Sequence, residues 1–366
     1  MSADAAPPPV DQGVIDDLKA RLRAYRPVAL PGGWGWRRGV DPDYLAALVA
    51  YWAQSYDWRV HEERIRRLPW VLTPARSIHQ RSARAGAEAV LLLHGWPDSA
   101  LRFERVLPLL TDHHVVVPCL PGFPFAAPGP GASADDMAGT VAETMATLGY
   151  DRYVVSAGDV GGDVAEALAA RHPERVAALH LTDVSQLHFL AGAPGDLSAA
   201  ERAYVRRGQD WQAREGGYMH EQATKPHTLA AALGDSPAGL AAWLVEKLRT
   251  WTDGELETVF SRDELLTWIT AYWVTGAIGT SFSPYAEGGT KPDNVVPPAV
   301  FTIFPHDLVN APREFAERFF DVRVWREEPH GGHFAAWEQP ARYAAGVRDA
   351  VRLAAGPAPG LGRPRH

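Results

Sequence analysis

The sequence predicts an α/β fold, in which a mostly parallel β-sheet carries helices on both faces. Two observations lead to this prediction. Short continuous apolar runs recur along the chain and alternate with helical patterns. In addition, the apolar segment around Val154 and Val155 runs into a Gly-rich turn and then directly into a helical pattern. The order strand, tight turn and helix is typical of α/β proteins with parallel sheets.

The composition of the chain is that of an ordinary globular protein. Its 366 residues are 46% hydrophobic and 22% charged, which suits one large domain with insertions. A formal net charge of -8 gives no reason to expect a nucleic acid or an anionic membrane surface as partner. Cys119 is the only cysteine, so an intramolecular disulfide is excluded.

The start of the sequence and its apolar runs lack the patterns of a signal peptide and of a membrane span. The first residues lack the basic and apolar stretches of a signal peptide. The longest aliphatic run, Ala89–Leu93, is far shorter than the roughly 20 residues that span a bilayer. We therefore expect a cytoplasmic protein without a membrane partner. The oligomeric state is left open, and a homo-oligomer is compatible with the sequence.

The N-terminal region is predicted to be helical after a short tail. Residues 1–10 are rich in proline and are expected to be disordered. Between Val14 and Tyr25 apolar side chains recur on one helical face, and further helical patterns follow as far as Leu68. Residues 11–75 are thus predicted to form an N-terminal meander whose aromatic side chains pack it on the main domain.

The sheet strands are predicted from apolar runs of the kind that parallel strands buried on both faces show. They are Ala89–Leu93, Val115–Val117, Tyr153–Val155, Val176–Leu181, Ala299–Phe304 and Val322–Trp325. Between the fourth and fifth of these, residues 186–294 show helical and aromatic periodicity without a strand pattern, which predicts an inserted helical lid. The core is therefore expected over 76–185 and 295–355, ending in a helix, with a disordered tail over 356–366.

Asp159 lies at the turn after the third predicted strand. Ala157 and Gly161 flank it at the spacing small-x-nucleophile-x-small, which is typical of the nucleophile elbow of α/β-hydrolases. Because the usual serine is absent, attack by the Asp159 carboxylate would leave an ester on the enzyme, and water would have to cleave that ester. The alternative is a Gly-rich turn in which Asp159 only caps the helix that follows.

A carboxylate nucleophile needs a base to activate water, and the base needs an acid to orient it. Asp307 and His333 each follow a predicted strand, in the chain order nucleophile, acid, histidine. Two glycines before His333 and apolar residues after it favour it over His330. Asp183, after the strand that follows the elbow, is the rival acid. A metal site at the two histidines is disfavoured because no carboxylate or cysteine cluster has ligand spacing.

The turn after the first predicted strand is a candidate oxyanion hole. In His94-Gly95-Trp96-Pro97 the N–H of Trp96 stands where this fold supplies one donor, and the N–H of Val160 would supply the other. A tight turn with a packed tryptophan is the alternative.

Tyrosines in the predicted lid indicate which kind of substrate Asp159 attacks. Displacement of a halide needs donors that hold a large anion, whereas epoxide opening needs an acid for the ring oxygen. Tyrosine hydroxyls suit the second task because their pKa of about 10 keeps them protonated at neutral pH. Tyr218 and Tyr285 are the candidates, and aromatic residues that only pack are the alternative at both positions.

Several of these segments together resemble one family. They are the N-terminal runs Asp17-Leu18-Lys19-Ala20-Arg21-Leu22 and Tyr56-Asp57-Trp58-Arg59, the motifs His94-Gly95-Trp96-Pro97, Gly158-Asp159-Val160-Gly161, Phe304-Pro305-His306-Asp307-Leu308 and Gly331-Gly332-His333-Phe334-Ala335-Ala336, and the tyrosine segments Gly217-Tyr218-Met219-His220 and Pro284-Tyr285. Over nearly its whole length the chain resembles the epoxide hydrolases of the microsomal type. The resemblance implies an α/β-hydrolase fold with an N-terminal meander and a helical lid. It also implies that Tyr218 and Tyr285 are the ring-opening acids and that Asp307 is the acid of the triad.

The chain also departs from the pattern of that family. Val160 stands after the nucleophile where the family usually carries tryptophan, so a reshaped pocket floor is expected. The Gly-rich turn after the second strand is replaced by Phe123-Pro124-Phe125-Ala126. The segment between Trp70 and Ala89 is short for the usual pair of early strands, and the N-terminal membrane anchor of the microsomal members is not seen.

The predicted function is hydrolysis of a hydrophobic epoxide to a vicinal diol through an aspartyl ester, without a metal or organic cofactor. The expected partners are the epoxide and water. Trp243, Trp268 and Phe334 are predicted to contact the substrate. A haloalkane dehalogenase, or a non-catalytic ligand-binding protein on the same fold, is the alternative.

Overall fold

The computed structural model describes residues 5–29, 33–289 and 291–356. Within these residues eight strands form one sheet. They are β1 Trp70–Leu72, β2 Arg76–Gln80, β3 Ala89–Leu93, β4 His114–Pro118, β5 Tyr153–Ala157, β6 Val176–Leu181, β7 Val295–Ile303 and β8 Phe320–Glu327. Their order across the sheet is β1-β2-β4-β3-β5-β6-β7-β8. Pairing is parallel from β4 to β8 and antiparallel for β1 with β2 and β2 with β4.

The middle of the sheet explains why continuous apolar runs predict its strands. Every residue of β3, β5 and β6 is buried. Parallel strands covered on both faces cannot alternate apolar and polar side chains, so their sequences are apolar throughout. The strand that ends at Asp159 therefore lies at the centre of the sheet, with β3 on one side and β6 on the other.

The helices fall into four groups along the chain. Before the sheet come α1 Gln12–Arg23, α2 Pro42–Gln54 and α3 Trp58–Arg66, and within the first half of the core α4 Ala134–Thr147 and α5 Val160–Arg171. The lid consists of α6 Leu187–Leu190, α7 Ala199–Glu215, α8 Gly217–Thr224, α9 Pro226–Asp235, α10 Pro237–Thr250, α11 Leu256–Val259, α12 Arg262–Thr275 and α13 Ser283–Ala286. The second half of the core adds α14 Arg313–Ala316, α15 Ala335–Glu338 and α16 Pro340–Ala354. Short 3-10 segments lie at Gly35–Arg38, Ala100–Phe103, Leu107–Leu109 and Thr280–Phe282.

The predicted fold class is confirmed, since a mostly parallel sheet carries helices and the lid enters between β6 and β7. The strands β1 and β2 were not predicted. They form an antiparallel pair joined by a short turn, which needs far fewer residues than a parallel crossover. Polar residues such as Arg76 and Gln80 also interrupt the apolar pattern of β2. The sheet therefore begins at Trp70, inside the range that was predicted as meander.

The start of the chain also differs from the expectation of a disordered tail over 1–10. Residues 1–4 lie outside the described residues, but Ala5 is buried in the core. The Arg76 guanidinium donates to the Ala5 carbonyl at 3.2 Å, and the Val10 N–H donates to Glu62 at 2.6 Å. Proline-rich segments lack a periodic pattern, yet their carbonyls can be held by neighbouring cations. Of the predicted C-terminal tail only Gly356 lies within the described residues.

No single helix among the described residues is long and apolar enough to cross a bilayer. The helices α9 and α10 reach the necessary length and apolar composition only together, and the chain bends by 116° between them.

Candidate active site

The turn between β5 and α5 holds Asp159 in a strained backbone conformation. Its φ of 55° and ψ of -137° are rare for a residue with a side chain. Strain of this kind persists only where the surroundings enforce it. A Cβ at Gly161 would lie 2.5 Å from the Leu93 carbonyl oxygen and 2.6 Å from that of His94. The turn therefore fits against the end of β3 only because position 161 has no side chain.

The carboxylate of Asp159 is held by two backbone donors. The Trp96 N–H donates to Oδ1 at 2.7 Å, and the Val160 N–H also donates to the carboxylate. These are the two groups that the sequence predicted as an oxyanion hole, and the structure brings both to the same side chain. Burial raises the pKa of Asp159, although His333 and the two N–H groups act in the opposite direction.

His333 lies between two carboxylates. Its Nδ1 is 2.8 Å from Oδ1 of Asp307, and its Nε2 is 3.7 Å from Oδ2 of Asp159. Burial alone would lower the pKa of His333, but the charge and hydrogen bond of Asp307, with the charge of Asp159, raise it to about 9. Burial likewise opposes ionisation of Asp307, yet His333 lowers the pKa of that carboxyl below its usual value. The resting site therefore favours an imidazolium between two carboxylates.

The rival acid, Asp183, occupies a different place. It follows β6 and accepts the backbone N–H of Asp159 at 3.2 Å, so it supports the elbow. Burial and the nearby charge of Asp307 raise its pKa to about 7. The His333 imidazole donates from Nδ1 to the carboxylate of Asp307 and not to that of Asp183. His330, the other histidine of that loop, is exposed.

A buried ion pair that the sequence analysis missed connects the loops on either side of Asp159. Arg102 donates to Asp98 and to the His333 carbonyl, each at 2.5 Å. Asp98 in turn accepts the Gly95 N–H at 2.8 Å, next to the Trp96 donor. The only sequence signal is an acid and a base four residues apart directly after the His94-Gly95-Trp96-Pro97 motif.

Glu338 holds the histidine loop from the other side. Its carboxylate accepts the N–H groups of Gly332 at 3.1 Å, Phe334 at 2.9 Å and Asp253 at 2.8 Å. The His333 N–H donates to the carbonyl of Trp251 at 2.9 Å. Because residues 251 and 253 follow α10, these bonds tie the lid to the loop that carries the histidine.

The two lid tyrosines meet above the nucleophile. The ring centroids of Tyr218 and Tyr285 are 6.1 Å apart, and the Trp96 ring stacks on Tyr218 at 5.2 Å. Burial and the charge of Asp159 raise the pKa of both hydroxyls well above 10. Both phenols therefore stay protonated at neutral pH and are available as donors.

The nucleophile and the two lid tyrosines border a cavity of about 250 Å³. Asp159, Val160, Asp183, Tyr218 and Tyr285 form part of its wall. The remaining wall is a mixture of apolar side chains, small residues and a few polar groups, namely Asp163, Ser185, Gln186, Leu187, Met219, Ala223, Pro284, Gly288, Gly289 and Leu308.

The residues predicted to contact the substrate are not part of the cavity wall given above. Trp268 and Phe334 pack against each other with ring centroids 5.8 Å apart, next to His333. Trp243 donates from Nε1 to Gln222 at 3.2 Å. Their aromatic character reflects packing of the lid and of the histidine loop, which composition alone cannot separate from substrate contact.

Two departures from the family pattern have structural counterparts. Val160 lines the cavity where a tryptophan would fill part of it. Phe125, in the loop after β4, has a φ of 67°, which is a conformation usually taken by glycine. The Arg76 guanidinium donates to the Phe125 carbonyl at 2.8 Å and helps to hold it.

Two family models together match nearly the whole chain. A family model described as "Epoxide hydrolase N terminus" matches residues 6–103, and one described as "alpha/beta hydrolase fold" matches residues 88–340. A candidate epoxide hydrolase of Stigmatella aurantiaca is 37% identical over 371 residues, with 94% of this chain and 83% of that protein covered. "Epoxide hydrolase 1" of Sus scrofa is 31% identical over 391 residues, with 93% and 86% covered. The solved structure of Aspergillus niger epoxide hydrolase superimposes with a TM-score of 0.84 at 27% identity, over 96% of this chain and 98% of that one.

Proposed function

The chain belongs to the epoxide hydrolases of the α/β-hydrolase fold, and on that premise we propose that it opens the ring through an ester on Asp159. The observation that carries this proposal is the position of the Asp159 carboxylate. It accepts the N–H groups of Trp96 and Val160, and its Oδ2 lies 3.7 Å from Nε2 of His333. The two protonated tyrosines line the same cavity as this carboxylate.

In the first step Asp159 attacks one ring carbon. The carbon–oxygen bond of the epoxide breaks, and the departing oxygen takes a proton from Tyr218 or Tyr285. Proton donation of this kind contributes typically 10² to 10⁴-fold in rate. The product is a neutral ester of Asp159 that carries the second alcohol of the future diol.

Ester formation prepares the second step by removing a charge. In the resting site Asp159 is one of the groups that raise the pKa of His333. Once Asp159 is esterified that contribution disappears, so the pKa of His333 falls and the imidazole can release its proton to solvent. His333, oriented by Asp307, then takes a proton from water as the water oxygen attacks the ester carbonyl. The N–H groups of Trp96 and Val160 hold the resulting oxyanion.

Breakdown of that intermediate completes the cycle. The bond between the carbonyl carbon and the alcohol oxygen breaks, and the imidazolium returns its proton to the leaving oxygen. The vicinal diol leaves with one oxygen from the epoxide and one from the original Asp159 carboxylate, while an oxygen from water remains on Asp159. The tyrosine regains its proton from solvent, and the proton of the newly formed Asp159 carboxyl group passes to His333, which restores the resting site. The net reaction is epoxide plus water to diol.

The cavity indicates the class of substrate. Its volume of about 250 Å³ and its wall of residues such as Leu187, Met219, Pro284 and Leu308 suit a hydrophobic epoxide of moderate size. Val160 leaves room on the floor beside the nucleophile. A cytoplasmic location and the lack of membrane or nucleic-acid partners stay predictions from the sequence, and the oligomeric state stays open.

The experiment that tests the ester is a single turnover of excess enzyme on styrene oxide in water enriched in heavy oxygen. We expect diol formation and label in the carboxylate of the peptide that contains Asp159. A diol that carries the label while this carboxylate remains unlabelled would mean direct attack by water. Release of chloride from a haloalkane, without turnover of any epoxide, would favour a dehalogenase.

A further inference from the structure

A buried chain of charged groups lies behind the wall of the catalytic cavity. The Lys291 ammonium donates to the carboxylate of Asp163, and to Oε1 of Glu166 at 2.8 Å. The other oxygen of Glu166, Oε2, lies 2.9 Å from Nε2 of His188. The side chain of Lys291 is only 11% exposed and that of Glu166 only 3%. Lysine is rarely buried to this degree unless it is paired.

These ion pairs join two segments that both carry reacting groups. Asp163 and Glu166 lie in the first two turns of α5, which begins directly after Asp159. Lys291 lies in the connection from α13, which contains Tyr285, to β7. Within that connection Gly288 and Gly289 form part of the cavity wall. Glycines leave a backbone free to move, so an anchor beyond them is needed to hold the Tyr285 segment against α5.

The charge of Lys291 also affects the electrostatics of the cavity wall. Asp163 is part of the cavity wall, and its charge adds to burial and to the charge of Asp159, which are the larger causes of the raised pKa of Tyr285. Burial would raise the pKa of Glu166, but Lys291 and His188 lower it below its usual value. Without the lysine, Asp163 would lose its cationic partner at the cavity wall, where negative charge develops on the ring oxygen, and Glu166 would keep only its contact with His188.

We propose that Lys291 is a positioning residue for ring opening, which holds the Tyr285 segment on α5 through Asp163 and Glu166 and places one positive charge between the two carboxylates. This inference rests on the proposed function, because it concerns the step in which the ester forms. Lys291 acts through these groups and does not touch the reacting atoms.

The second half-reaction depends on a different set of contacts. His333 is oriented by Asp307, and its loop is held by Arg102 and Glu338. None of the contacts described for these groups involves Lys291, whose described partners are Asp163 and Glu166. Loss of the lysine should therefore slow ester formation and leave ester hydrolysis nearly unchanged. A general loss of structure would slow both.

The test compares Lys291→Met, Lys291→Arg and a control, Lys19→Met, by rapid-quench single turnover on styrene oxide with mass spectrometry of the ester. Lys19, in α1 of the N-terminal region, is the control because its ammonium is half-buried and donates to the Tyr56 carbonyl at 2.7 Å, and it is not part of the cavity wall. We expect ester formation to slow about 10-fold or more in Lys291→Met, a change of ~1.4 kcal/mol in the barrier. Lys291→Arg should recover most of the rate of ester formation. Ester hydrolysis should change less than about two-fold in every variant, which corresponds to less than ~0.4 kcal/mol in its barrier.

The inference is overturned if Lys291→Met forms the ester at the wild-type rate, or if both half-reactions slow equally. If Lys291→Met does not fold, the triple variant Lys291→Met, Asp163→Asn, Glu166→Gln removes the ion pairs without leaving a buried charge. Slow ester formation in the triple variant supports the inference, and a wild-type rate overturns it. Failure of the wild-type enzyme to form any ester would instead contradict the proposed function.

Discussion

At the scale of single residues, three carboxyl groups at the ends of neighbouring strands have three different proton affinities. Asp159 accepts two N–H groups, Asp307 accepts from the His333 imidazole, and Asp183 accepts, among the described residues, only the backbone N–H of Asp159. The same burial acts on all of them, so their partners decide the outcome. Asp307 stays ionised, whereas Asp183, beside the charge of Asp307, has a pKa of about 7.

The raised pKa of Asp183 predicts a pH-dependent loss of stability. A carboxyl whose pKa rises on folding, here from about 3.9 to about 7, stabilises the protein below pH 4, and this contribution disappears as the pH rises through 7. In Asp183→Asn the amide oxygen can still accept the Asp159 N–H, but the group no longer ionises. From pH 5 to pH 8 we expect the free energy of unfolding of Asp183→Asn to rise by roughly 2 kcal/mol relative to that of the wild type. Urea unfolding at both pH values measures this, and a difference that does not change with pH contradicts it.

The two lid tyrosines should contribute separately to ring opening. Tyr218→Phe and Tyr285→Phe each remove one donor to the ring oxygen, so ester formation should slow about 10²-fold in each variant. Ester hydrolysis should not change, because His333 and Asp307 carry that step. Single-turnover kinetics on styrene oxide measure both rates. The control is Tyr204→Phe, since the buried hydroxyl of Tyr204 has no hydrogen-bond partner among the described residues. If both variants form the ester at a rate within about three-fold of the wild type, a barrier difference of ~0.7 kcal/mol, the assignment of the two tyrosines as ring-opening acids is wrong.

At the scale of elements, the elbow depends on close contact between α5 and the end of β3. A methyl group at position 161 would meet the backbone oxygens of Leu93 and His94, which cannot move without shifting the strand. The Val160 N–H, at the first position of α5, is aimed at Asp159 by the same contact. Helix position and oxyanion geometry are therefore linked.

Gly161→Ala should weaken both stability and catalysis. Insertion of a methyl group into a packed backbone contact costs about 1–3 kcal/mol, and we expect thermal unfolding to show a loss of this size. Turnover of styrene oxide should fall as well, because the Val160 N–H moves. Gly139→Ala in α4 is the control: this glycine is exposed and a Cβ there meets nothing within 4 Å. Its replacement should stabilise the helix by up to about 1 kcal/mol and leave turnover unchanged. A Gly161→Ala variant as stable and active as wild type would contradict the linkage.

Other elements show where periodicity is informative and where it is not. The strands buried on both faces, such as β3 and β6, have the predicted bounds. The antiparallel pair of β1 and β2 was missed because β1 has only three residues and polar residues interrupt the apolar pattern of β2. Residues 5–10 were expected to be disordered because nothing local shows the contacts that Arg76 and Glu62 make with them.

At the scale of the whole molecule, long-range polar contacts hold meander, lid and core in one arrangement around the cavity. Tyr51 in α2 donates to Asp263 at the start of α12 at 2.9 Å. The Trp251 carbonyl, after α10, accepts the N–H of His333. Arg102 bonds the carbonyl of a residue 231 positions later in the chain. The site is thus assembled from segments that fold together.

Arg102→Met tests the buried pair that connects two of these segments. Asp98, whose side chain is fully buried, would lose its cationic partner, and breaking a buried pair in this way costs about 3–5 kcal/mol. We expect urea unfolding to show a loss of that size. Arg102→Met combined with Asp98→Asn should recover part of it, because no buried charge is then left unpaired. A single variant within about 1 kcal/mol of wild type would show that the pair is not needed for stability.

The sequence by itself determined the fold class, the family and the types of the reacting groups. These follow from local information: apolar runs fit buried parallel strands, small residues fit a strained turn, and short motifs carry the nucleophile, acid and histidine in a fixed chain order. Only the tertiary structure decided that Asp307 bonds His333 while Asp183 supports the elbow. It likewise decided that Trp268 and Phe334 pack behind the site, and it revealed the buried pairs of Arg102 and Lys291. Such contacts join residues far apart in the chain, and the distances between them depend on how whole elements pack, which no local pattern records.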